Sequence, residues 1–103
     1  MIVQGRSIVE RYLSERAGHV GIRAATRQFD AWLAEAAAAD WSSPADVKRQ
    51  FASASVVAGN RLVFNISGNR FRLVVAVNYG FGVIDLRFFG THTEYDRISV
   101  ESI

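Results

Sequence analysis

His92 and Tyr95 stand three residues apart in the run Gly90-Thr91-His92-Thr93-Glu94-Tyr95-Asp96. Thr91 and Glu94 in the same run have the spacing of a capping box, which predicts a final helical turn. On such a turn the imidazole and the phenol share a face. Histidine exchanges a proton near neutral pH. Upstream lie Arg61, Arg70, Arg72 and Arg87, and a guanidinium is a natural bidentate donor to phosphate. These residue types are what metal-independent cleavage of an RNA phosphodiester needs. A base takes the 2′-OH proton, cations hold the charge on the phosphorane oxygens, and an acid protonates the departing 5′ oxygen. A lone histidine is equally at home as a cap or a solvated residue, and both roles remain open for His92.

Other chemistries find little support. His19, between Gly18 and Val20 in a predicted interhelix loop, reads as a surface residue. The two histidines lie far apart with no acidic residues at ligand spacing, so no metal site is expected. Gly80, Gly82 and Gly90 read as turn residues, and none sits between a strand and a helix as in a phosphate-binding loop. A serine hydrolase would need a nucleophile elbow, which the sequence lacks.

The elements that must position these residues follow from periodicity. Residues 7–16 carry Ile8, Val9, Tyr12 and Leu13 at helical spacing, with Gly18 as a stop. Residues 21–39 form a second helix, with Ile22, Ala25, Phe29, Trp32, Leu33 and Ala36 at intervals of three and four. Ser43 as N-cap, Pro44 at the first position and Asp46 in the first turn start a third helix that ends near Phe51.

Past residue 54 the period becomes two. Strands are expected at 55–59, 61–66, 70–78 and 83–89, joined at Gly59-Asn60, Ser67-Gly68-Asn69 and Tyr79-Gly80-Phe81-Gly82. Connections this short require antiparallel neighbours. The expected fold class is α+β: two or three N-terminal helices packed on one face of a four-stranded antiparallel sheet, then a short C-terminal helical turn.

Alternation assigns the faces. Leu62, Phe64, Ile66, Phe71, Leu73, Val75, Val77, Ile84, Leu86 and Phe88 point to the helices. The other face then shows Arg61, Val63, Asn65, Arg70, Arg72, Val74, Asn78, Asp85, Arg87 and Phe89. An antiparallel sheet commonly leaves one face wet, where arginine is an ordinary occupant.

Composition bounds the class. At 103 residues, 50% of them hydrophobic and 21% charged, the chain suits one globular domain over 1–103. With no cysteine there is no disulfide framework or thiolate metal site. Arg6 and Glu10 interrupt the opening residues, so no export signal is expected. No window approaches the roughly 20 apolar residues of a membrane span, and a soluble, cytoplasmic protein is expected. The formal charge of +2 permits a polyanionic partner without requiring one.

Read together, Asp40-Trp41-Ser42-Ser43-Pro44-Ala45-Asp46-Val47-Lys48 with Phe51, Asn60-Arg61-Leu62-Val63-Phe64-Asn65-Ile66 with Gly68-Asn69, Arg72-Leu73-Val74-Val75 with Asn78-Tyr79, and Arg87-Phe88 with the 90–96 run resemble the HigB toxins. These belong to the RelE-like mRNA interferases. The resemblance spans about 29–98, and it departs from the family at Thr93, where alanine is common. It implies a RelE-like fold and an endoribonuclease that cuts mRNA, typically on the translating ribosome. It also implies a HigA-type helix-turn-helix antitoxin, through which the pair would reach operator DNA. Carried over by residue, Arg72, Arg87, Lys48 and Arg61 would bind phosphate or stabilise the transition state, and His92 and Tyr95 would transfer protons. Asn65 and Asn78 would contact RNA or close turns, and Arg70 joins the phosphate-binding set. No cofactor is implied. Two other readings fit the same residues: a non-catalytic RNA- or ribosome-binding module, and an interaction domain whose basic face docks an acidic partner.

Overall fold

A strand that the residue pattern does not announce opens the chain. Ile2–Gln4 (β1) runs parallel to the last strand, pairing Ile2 with Val83, Val3 with Ile84 and Gln4 with Asp85. The computed structural model describes residues 1–58 and 60–103. Its helices are Arg6–Glu15 (α1), Ile22–Ala38 (α2) and Pro44–Gln50 (α3). Strands Ser55–Val57 (β2), Arg61–Ile66 (β3), Phe71–Asn78 (β4) and Val83–Thr91 (β5) follow, and His92–Tyr95 (α4) closes the series. The sheet order is β1-β5-β4-β3-β2. The α+β class stands, but the expected four-stranded antiparallel sheet is a five-stranded mixed one. Three residues are too few for a period of two to show, and only the partner β5 makes β1 a strand. Of the expected turn at Gly59-Asn60, Gly59 lies outside the described residues, while Asn60 has a φ of 61°.

The helices form where apolar spacing puts them. Val9 and Leu13 of α1, and Ile22, Ala25, Phe29, Trp32 and Ala36 of α2, are buried. In α3, Pro44 occupies the first position and Ser43 the N-cap, but the Ser43 side chain makes no capping bond. Asp46 instead reaches back and accepts from the Ser42 backbone N–H and hydroxyl, both at 2.8 Å. On the covered sheet face Leu73, Val75 and Ile84 are fully buried, and Phe64 packs edge-on to Trp32 and Phe51 at 5.2 Å.

One extra residue reverses the end of β5. Val75 pairs with Leu86 but Val74 pairs with Phe88, so Arg87 is a bulge. Beyond a bulge the side-chain alternation flips. Phe89, expected outside, pairs with Leu73 and packs in the core against Tyr12 and Phe71. Phe88, expected in the core, is half-buried opposite Val74 on the outer face, its ring 6.5 Å from that of Tyr95. Gly90 lies within β5 rather than in a turn.

The outer face is not simply wet. Val63 and Val74 point that way yet are 4% and 0% exposed. The chain after α4 runs back from Tyr95 toward Arg61, whose Nε donates to the Ile103 carbonyl at 3.1 Å. Along this return Ile98, Val100 and Ile103 are half-buried. Among the described residues no helix is long and apolar enough to cross a membrane.

Candidate active site

The turn that carries His92 is fixed from two sides. Within it the Glu94 N–H donates to Thr91 Oγ1 at 3.2 Å, and the Thr91 N–H donates to Glu94 Oε1 at 2.8 Å, which is the capping box that the sequence predicts. From α1 the Tyr12 hydroxyl donates to the same Oε1 at 2.6 Å. Arg16 lies 3.6 Å above the Tyr12 ring and brings Nη2 to 3.7 Å from Glu94 Oε2. Burial, then the hydrogen bond and charge of Glu94, push the Tyr12 pKa up to about 12. At Glu94 burial pushes the other way from its partners. The bonds from Tyr12 and Thr91 and the charge of Arg16 outweigh it and hold the carboxyl below its usual value.

This anchoring sets His92 on the rim of a pocket of about 520 Å³ between the α1–α2 connection and the start of β4, shared with Arg16, His19 and Arg70. Arg70 is therefore not on the outer sheet face, as alternation predicts, because it precedes β4 and sits in the turn. Its guanidinium lies against Gly21, where an added Cβ would come within 2.8 Å of Cζ. The Arg70 guanidinium makes no hydrogen bond or ion pair among the described residues. His92 is 57% exposed in its side chain, with Nε2 3.5 Å from Asp96 Oδ2.

The remaining expected site residues do not converge on one spot. Arg61, Arg87 and Asn78 line a second cleft of about 350 Å³ with Asp85 and Phe81. There Arg87 Nε pairs with Asp85 Oδ2 at 2.8 Å, and Asn78 Oδ1 accepts from the Phe81 N–H at 3.0 Å, closing the turn. Arg72 stands between Asn65 and Gly90 on the outer face and donates to the Asn69 carbonyl at 3.1 Å. Tyr95 faces Phe88. Lys48 donates to the Ala52 and Ala54 carbonyls at 2.9 and 2.6 Å and so fastens the chain after α3. Sequence reasoning missed Tyr12 and Arg16, and read His19 as a surface residue only. No local signal joins residues 12–19 to 92–94; the helix packing does. Among the described residues no group of three His, Asp or Glu side chains is placed to hold a metal ion.

Fold and site thus define an α+β protein with a basic, histidine-bearing pocket at one end of its sheet. The model of the HigB toxin family, the RelE-like toxic component of a toxin-antitoxin system, matches residues 25–98, and the chain belongs to that family. The match includes α4 and most of α2 but neither α1 nor His19. No curated protein matches the chain.

Proposed function

We propose that the protein is the toxin of a type II toxin-antitoxin pair and acts as a metal-independent endoribonuclease on mRNA. The observation that carries this reading is the shared pocket of a member of a toxin family, lined both by His92 and by Arg70, whose guanidinium makes no hydrogen bond or ion pair among the described residues. Arg70 binds the scissile phosphate and opposes charge on the phosphorane oxygens, while His92 moves a proton to or from an RNA oxygen. Tyr95 and Arg72, on the outer side of the same β5–α4 corner, hold the adjoining backbone, with Asn65 beside Arg72. Arg61, Arg87 and Asn78 bind phosphates farther along the sheet once RNA replaces their internal partners. Lys48 serves the same track from its edge. The substrate is mRNA on the translating ribosome, which places the activity in the cytoplasm. A HigA-type helix-turn-helix antitoxin neutralises the toxin and carries the pair to operator DNA.

The test is tightly controlled induction in a bacterial host, comparing wild type with a variant carrying Arg72→Ala, Arg87→Ala and His92→Gln at equal soluble expression. Growth arrest with loss of mRNA in the wild type alone is expected. Equal growth with both would leave a non-catalytic binding module.

A further inference from the structure

His19 and His92 are far apart in the chain yet line one pocket, with Arg16 and Arg70 between the same walls. The geometry points to His19 as a second proton-transfer residue, paired with His92 across a phosphate held by Arg70. This rests on the ribonuclease reading above and deepens it.

Three observations converge. First, Glu94, the only acid in the pocket wall among the described residues, is already committed to Tyr12, Thr91 and Arg16. Among the described residues no ion pair answers the Arg70 charge, so the pocket suits an anion. Second, the loop carrying His19 is built to admit Arg70. Gly21 has a φ of 84°, and any Cβ there would strike the guanidinium at 2.8 Å. A side chain at position 21 would be strained in its backbone and would also push Arg70 out of the pocket. Third, His19 is held by its backbone, with its N–H on the Arg16 carbonyl at 2.9 Å and its carbonyl accepting from the Ile22 N–H at 3.2 Å. Its imidazole makes no hydrogen bond among the described residues and is exposed.

A phosphate seated on Arg70 then shares its pocket with both imidazoles. One imidazole takes the 2′-OH proton as the 2′ oxygen bonds to phosphorus. The other, entering protonated, gives its proton to the 5′ oxygen as the P–O5′ bond breaks. The products are a 2′,3′-cyclic phosphate and a free 5′-OH, and the enzyme has passed one proton from one side to the other. The charged groups around the pair are Arg16 from α1, Arg70 from the β3–β4 turn, and Glu94 and Asp96 from α4 and its cap.

Two measurements on the intact protein test this. Inorganic phosphate titrated into the wild type, followed by NMR of the imidazole C–H resonances, should shift His19 and His92 with one common saturation curve, weakened by Arg70→Ala. An unmoved His19 resonance overturns the shared site. Cleavage of mRNA on purified translating ribosomes should fall by about 10²-fold or more in His19→Gln. One limb of the bell-shaped pH–rate profile should vanish in that variant and the other in His92→Gln. If the wild type cleaves but His19→Gln stays within about twofold with an unchanged profile, His19 plays no part and the ribonuclease reading survives. If the wild type cleaves nothing, that reading fails and the proton-transfer pair with it.

Discussion

Glu94 ties together three pieces of chain: its own helical turn, the end of β5 through Thr91, and α1 through Tyr12 and Arg16. Its carboxyl pKa is lowered on folding, so its contribution to stability is present above the unfolded carboxylate pKa and is lost as pH falls through the folded value. Tyr12 works at the other end. Its folded pKa of about 12 exceeds the ordinary tyrosine value of 10.0, so its contribution is complete below about pH 10 and is lost as pH rises toward 12. Unfolding by urea across pH should therefore show an alkaline decline between these values in the wild type, and Tyr12→Phe should flatten it at a cost of about 1 kcal/mol near neutrality. An alkaline limb unchanged in Tyr12→Phe would mean that the Tyr12–Glu94 bond does not couple α1 to α4. His92 was legible at this scale because a recognisable tail surrounds it. Tyr12 and Arg16 were not, because their part in the site arises only when α1 packs beside β5.

Among the elements, the sequence pattern yields every helix and the strands β2 to β5 to within a few residues, since each is long or regular enough to show its period or lies beside a turn signal. Two features escape it for opposite reasons. β1 is too short to carry a pattern, and the bulge at Arg87 sits inside a pattern that continues unbroken through Phe88 and Phe89. Only the pairing of Val74 with Phe88 reveals that the faces exchange. The exchange matters for the site, because it turns Phe88 outward over Gly90, where an added Cβ would lie 2.6 Å from Phe88 Cζ and 3.0 Å from Glu94 Oε1. Gly90→Ala should accordingly cost about 1–3 kcal/mol by overpacking, read as a lower urea midpoint. Shortening the ring in the pair Gly90→Ala with Phe88→Leu should recover part of that loss. A double variant no more stable than Gly90→Ala alone would show that Phe88 is not the obstacle.

Across the whole molecule, β4 sets the core and the outer face side by side. Leu73 is fully buried between Phe64 and Phe89, whereas its neighbour Arg72 turns to the opposite face, between Asn65 and Gly90. The family-matched segment 25–98 holds both, and the sheet that contains them is completed by β1 and covered in part by α1. Leu73→Ala leaves a cavity in the middle of that sheet and should cost roughly 2–5 kcal/mol. For a domain of this size each kcal/mol lowers the Tm by about 4–8 °C, so a fall of about 8 to 40 °C is expected. Arg72→Ala removes only a half-exposed donor to the Asn69 carbonyl and should leave stability within about 0.5 kcal/mol. The two variants should then separate in a paired measurement of melting temperature and mRNA cleavage per folded molecule. Leu73→Ala loses stability and keeps its activity while folded, and Arg72→Ala keeps its melting temperature and loses cleavage. Should Arg72→Ala cleave like the wild type, the RNA does not cross this part of the outer face, and the chemistry is confined to the pocket of His92 and Arg70.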